Sequence, residues 1–126
     1  MRLNHVTLRV ADLDRSIAFY KLLGLTQIVA SDDYARFVCP EGDSTLSLES
    51  RGDLPPTVAS AISLHFEAEG LDALVSDLKQ RGVSFEQDPT DQPYLWREAI
   101  MHDPDGHRLF LYHAGVNRLD PPWRLR

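Results

Sequence analysis

Residues 3–25, "LNHVTLRVADLDRSIAFYKLLGL", pass from one periodicity to another within a few positions. Leu3, Val6, Leu8 and Val10 are apolar, with His5, Thr7 and Arg9 between them, which is the alternation of a strand. Asp12 or Asp14 then supplies a helix cap, Ile17, Phe19, Tyr20 and Leu23 form an apolar stripe, and Gly24 stops the helix. Three strand-like runs follow: "TQIVAS", "YARFVC" and "STLSLES". The turn before the last of them is "PEGD", where Gly42 permits a positive φ.

The same order recurs further along. "AISLHFEAEG" reads as a strand, and "LDALVSDLKQRG" as a helix with Leu71, Leu74, Val75 and Leu78 on one face, ending at Gly82. "VSFEQ", "WREAIMHD" and "RLFLYH" are three more strands, with "DPDG" as the turn before the last. The chain therefore reads as βαβββ twice, a duplicated module with a period of about sixty residues rather than a solenoid. We expect a single domain over 1–126, with module one at about 1–50, a proline-containing linker at about 51–60, module two at about 61–113 and a tail at 114–126. Aligning the helix openings "VADLDRS" and "AEGLDAL" pairs Leu13 with Leu71, and hence His5 with Ser63 and Thr7 with His65. One extra residue in the first-half turn pairs Ser47 with Phe110 and Glu49 with Tyr112.

Bulk properties narrow the function. The 126 residues are 43% hydrophobic and 25% charged, ordinary for a globular domain with a sizeable core. The net charge of −6 gives no support to nucleic-acid binding, which needs a basic face against phosphate. No apolar run is long enough to span a bilayer, and because the N-terminus starts at once with patterned sequence no signal peptide is expected. The single cysteine, Cys39, cannot close an internal disulfide and reads as a small buried hydrophobe. A cytoplasmic protein is expected, with no nucleic-acid or membrane partner.

Two βαβββ modules, the opening "NHVTLRVADLDRSIAFY" and the late "DPDGHRLFLY" resemble the vicinal oxygen chelate superfamily. That superfamily includes glyoxalase I, extradiol dioxygenases, fosfomycin-resistance enzymes and bleomycin-resistance proteins. The stretch "DQPYLWREAIMHDPDGHRL" looks most like the bleomycin-resistance branch. The resemblance implies an α+β fold, in which a curved, mostly antiparallel sheet surrounds a cavity with helices outside, and it implies a homodimer. Fold likeness of this kind is a poor guide to the reaction.

In metal-using members, four inward strand positions hold a divalent ion. Carried over, they are His5, Ser47, Ser63 and Phe110. One imidazole and two hydroxyls fall short of the three or four strong donors that a protein-held transition metal needs, and Phe110 has no lone pair. The next inward layer, Thr7, Glu49, His65 and Tyr112, lies roughly 6.6 Å further along the strands. A slip of register would instead set His5, Glu49 and His65 together, a set suited to Fe, Mn, Ni or Zn. His5 therefore fits three roles: metal ligand, hydrogen-bonding pocket group or satisfied buried histidine. Glu49 and His65 are also readable as an acid–base pair, the only catalytic candidates, or as a solvent-facing acid and an unrelated imidazole.

Trp96 and Arg97 adjoin in the strand before "DPDG", so only one of them faces inward. The expected ligand-binding residues are His5, Thr7, Glu49, His65, Trp96, Phe110 and Tyr112. His102, His107 and His113 read as solvated surface. Trp123 in "NRLDPPWRLR" is expected to cover the subunit's own sheet edge or to dock on a partner subunit. The leading expectation is a small-molecule-binding protein without a catalytic metal or other cofactor. The alternative is a divalent-metal-dependent glyoxalase-like lyase or isomerase, or an extradiol-type dioxygenase. A metal-free acid–base enzyme using Glu49 and His65 is the third.

Overall fold

A computed structural model of the chain describes residues 1–51 and 62–125. Apart from Arg51, the expected linker lies outside the described residues. The alternating run that opens the chain forms β1 (His5–Val10), and α1 (Leu13–Leu22) follows with Asp12 as its cap, the Asp12 carboxylate accepting the Arg15 N–H at 3.1 Å. The rest of the first module is β2 (Thr26–Ala30), β3 (Tyr34–Val38) and β4 (Thr45–Ser50). The second module repeats the order: β5 (Ser63–Glu67), α2 (Leu71–Gln80), β6 (Phe85–Asp91), β7 (Arg97–His102) and β8 (Arg108–His113). A short 3-10 helix, Gly115–Arg118, begins the tail.

Each module carries its own four-stranded sheet, ordered β1-β4-β3-β2 and β5-β8-β7-β6. In each, the first and last strands run parallel and the other two pairings are antiparallel. The α+β class and the two βαβββ modules are as the sequence predicts. Residues cluster into two compact units, one on the described part of 1–59 with Asp103–Asp105, the other on the described part of 60–102 with 106–126.

In the first unit, Val10, Phe37 and Leu48 of the sheet are buried together with Tyr20 of α1. Full burial of such a side chain is worth about 1.5–3 kcal/mol. The buried line of α1 is Leu13, Ser16 and Tyr20, while Ile17, Phe19 and Leu23 of the expected stripe are not fully buried. A polar residue enters that line because Ser16 donates to the Asp105 carboxylate at 3.2 Å, which also accepts the Ala11 N–H at 2.9 Å. The Tyr20 hydroxyl donates to Asp103 at 2.7 Å, and burial, then the Asp103 charge, pushes that phenol far above its usual range. The "DPDG" turn thus supplies acceptors to the first unit.

In the second unit, Leu71, Val75 and Leu78 of α2 are buried, as are Ala99, Met101, Leu109 and Leu111 on the corresponding sheet face. The helix stops where the backbone turns through Gly82 at φ 97°. No helix among the described residues is long and apolar enough to cross a membrane. His107 is buried, contrary to the expected solvated surface, whereas His102 and His113 are exposed. Trp123 is 57% exposed within the chain. Cys39 is half-buried, and burial raises its thiol pKa.

Candidate functional site

In each module one sheet face packs on its helix and the other is left open, so the open faces carry the candidate site residues. The ladders set Thr7 opposite Ser47 in the first module and His65 opposite Phe110 in the second. The match of Leu13 with Leu71 and that of Ser47 with Phe110 are therefore mutually consistent, and these rungs correspond.

On the first module's open face the side chains are polar. His5 Nδ1 lies 2.6 Å from the Thr45 hydroxyl, and its Nε2 lies 3.3 Å from both Thr7 and Ser47 hydroxyls. Ser47 is fully buried and hydrogen-bonds the Tyr34 hydroxyl, which also accepts from Arg36 Nε at 3.0 Å. The Ser47 hydrogen bond, aided by Arg36, lowers the Tyr34 pKa. His5 itself is exposed in its unit, so it is not a buried histidine there. This chain of hydroxyls and imidazole can hold a polar group or pass a proton.

Glu49 stands apart from that chain. It shares a rung with Arg9 and Tyr34, and its carboxylate lies 3.7 Å from Arg9 Nε. Thr45, the rung partner of His5, is four residues away on the same strand, roughly 13 Å at strand rise. On this ladder His5 and Glu49 do not meet at one ion with bonds of about 2 Å.

The second module's open face is aromatic. The His65 and Phe110 rings stack with centroids 4.3 Å apart and 9° between planes. Trp96 and Tyr112 stack at 4.7 Å and 21°. His65 meets both members of the second stack edge-on, at 6.2 Å from Trp96 and 5.7 Å from Tyr112. Two stacks therefore join in a corner, with Tyr94 beside Trp96 at 6.0 Å. Partial burial lowers the His65 pKa, against a raising influence from the Glu98 charge, which favours the neutral imidazole. Trp96 precedes β7 rather than lying in it, because the chain turns through Leu95 at φ 68°. Its indole N–H donates to the Asn117 carbonyl at 3.4 Å. Arg97 faces the other way and forms ion pairs with Asp72 at 2.9 Å and Asp91 at 3.1 Å.

Glu98 and Tyr94 belong to this face and are missed by the sequence reading. Glu98 sits on the Tyr112 rung, is 4% exposed, and accepts the Tyr94 hydroxyl. Burial, with that bond to Glu98, pushes the Tyr94 phenol up to about 12. A signal for Glu98 exists: it follows Trp96 by two residues, the spacing of one strand face.

Of the expected residues, the structure brings His65, Trp96, Phe110 and Tyr112 together in the second unit. It joins His5 and Thr7 in the first and leaves Glu49 with Arg9. The four positions drawn from the metal-using relatives do not make a transition-metal donor set here. The Ser47 hydroxyl is engaged with Tyr34, and Phe110 offers carbon alone, laid flat on His65.

Comparison with known proteins places the fold in its family. Residues 2–111 match the Glyoxalase/Bleomycin resistance protein/Dioxygenase superfamily. The chain belongs to this superfamily. It is 34% identical over 120 residues to glutathione transferase FosA of Serratia marcescens, covering 90% of this chain and 80% of that protein. Among solved structures, it is similar to a bleomycin-binding protein complexed with bleomycin, with a TM-score of 0.70 and 24% identity over 90% of this chain and 98% of that one. A glyoxalase/bleomycin resistance protein/dioxygenase from Nocardioides superposes with a TM-score of 0.78 and 21% identity, covering all of this chain and 90% of that one.

Proposed function

We propose that this superfamily member binds a small, flat, amphipathic molecule and that it does so without a catalytic metal. The observation that carries the reading is the corner of stacked rings formed by His65, Phe110, Trp96 and Tyr112. Side chains already held by mutual stacking lose little freedom when a planar ligand adds to them. The bleomycin-binding relative supports a sequestering role. Titration with aromatic amphiphiles should quench tryptophan fluorescence saturably, and the quenching should vanish in Trp96→Ala. Absence of saturable binding across a broad panel would sink the proposal.

A second reading is supported by the transferase among the relatives and by the His5 hydroxyl chain: an enzyme of the same superfamily, dependent on a divalent metal. Elemental analysis of protein purified without chelator, followed by metal titration, separates the two. Binding in the micromolar range or tighter that is lost in His5→Ala favours the enzyme. We also propose a homodimer. β2 is an edge strand exposing Ile28 and Val29, an apolar edge that a second copy would cover. Mass in solution tests it, with Val29→Lys expected to yield monomer.

A further inference from the structure

We infer that the ligand taken by the aromatic corner is a planar organic cation, recognised by Glu98. This inference rests on the proposed binding reading and names the chemical class of its ligand.

A carboxylate withdrawn from water is costly unless it is hydrogen-bonded or paired with a positive charge. Glu98 is 4% exposed, and its side chain is held by a neutral donor, the Tyr94 hydroxyl. Among the described residues, the lysines and arginines of its unit lie against other acids. Arg97 binds Asp72 and Asp91, Arg108 binds Glu86 at 3.0 Å, and Arg118 lies 3.7 Å from Glu67. Glu67, the next acid on this face, is itself engaged: it accepts the backbone N–H groups of Ala114 at 2.8 Å and Gly115 at 3.0 Å. Partial burial of His65 disfavours its protonated form.

Glu98 also lies where a cation's second source of attraction is available. It occupies the same rung as Tyr112, whose ring stacks on Trp96, and Tyr94 joins it to the edge of that indole. Indole and phenol faces attract cations through their quadrupoles, and a planar cation combines this with stacking. An anion would meet the reverse: electron-rich ring faces and a buried carboxylate. The one guanidinium described over these rings, Arg108 above Phe110 at 5.1 Å, has its charge offset by Glu86.

The test uses three probes of nearly equal shape and different charge: N-methylquinolinium, 1-methylnaphthalene and 1-naphthoate. Calorimetric titration of the full chain at pH 7.5 should show the cation binding about tenfold more tightly than the neutral isostere, with the anion weakest. In Glu98→Gln, which keeps an oxygen for the Tyr94 hydroxyl, the cation's advantage over the neutral probe should disappear. Tyr94→Phe should retain the preference, because the charge remains. Equal affinity of cation and neutral isostere, or a preference that survives Glu98→Gln, overturns the inference while leaving the binding reading intact. Failure of all three probes to bind the unaltered protein overturns both. Circular dichroism of each variant identifies a misfolded one. Were Glu98→Gln misfolded, Glu98→Asp would replace it, and its shorter reach should lower the cation's advantage without abolishing it.

Discussion

The two modules share a strand order, a helix of ten residues and a ladder register, yet their open faces differ in kind. At corresponding rungs, the first presents Thr7 and Ser47 and the second His65 and Phe110. The helix-facing sides are apolar in both: Phe37 and Leu48 in one, Leu109 and Met101 in the other. The architecture therefore depends on the faces that agree, and function on the faces that do not. A duplicated scaffold can hold a hydroxyl chain on one sheet and a ring corner on the other because neither open face is needed to bury the helix.

This contrast fails at once if the two kinds of face do not separate stability from binding. Phe37→Ala removes a fully buried ring from the first module's helix-facing side and should destabilise the protein by about 3–5 kcal/mol, read from the urea midpoint. Trp96→Ala, on the second module's open face, should instead weaken aromatic ligands by about thirtyfold, with a smaller fall in melting temperature than Phe37→Ala. If Trp96→Ala unfolds the chain as readily as Phe37→Ala, the ring corner is core and the division between the faces is wrong.

Phe110→Glu asks whether the second face has exchanged a donor for a ring. The carboxylate would replace a ring stacked at 4.3 Å on His65, so ligand affinity should fall by about tenfold. The same variant restores a donor at the position where metal-using relatives would place one. Metal affinity that appears in the variant and is absent from the unaltered protein would show that the ring has taken the place of a donor. Unaltered ligand binding with no metal would mean that Phe110 is not part of the ligand surface.

Much of the contrast between the faces is legible in the sequence. Period-two alternation puts Phe110 and Tyr112 on one face, and the helix openings at Leu13 and Leu71 match Thr7 with His65; the sequence reading sets His65 in the Tyr112 layer, however, and the ladder places it opposite Phe110. Residues whose roles depend on distant partners are not legible. Ser16 is buried because it reaches Asp105, 89 positions further along the chain, and no local pattern announces that bond. His107 reads as a turn histidine and is buried. Alternation alone suggests Glu49 as the acid beside His65. In the structure Glu49 lies with Arg9, and the acid acting on His65 is Glu98. An acid in a strand is usually solvated, which hides Glu98; Tyr94, brought round by the turn at Leu95, gives this one a part-buried hydrogen bond.

A finer difference between the faces concerns His65 and the pH. Its folded pKa lies below the usual imidazole value near 6.5, chiefly because the neighbouring rings take water from the charged form. The unfolded chain then binds more protons than the folded one between the two values. Stability from this group is present in full above about pH 6.5 and is lost as the pH falls through the folded pKa. His65 keeps an exposed edge, so the loss should be modest. His65→Phe preserves the stack on Phe110 and removes the titration, so its unfolding midpoint should fall less between pH 7 and pH 5 than that of the unaltered protein. Proton NMR should show the His65 ring titrating below the usual imidazole value near 6.5. A His65 midpoint at or above about 6.5 would mean that the Glu98 charge outweighs desolvation, and that the second module's open face is wetter than its stacked rings imply.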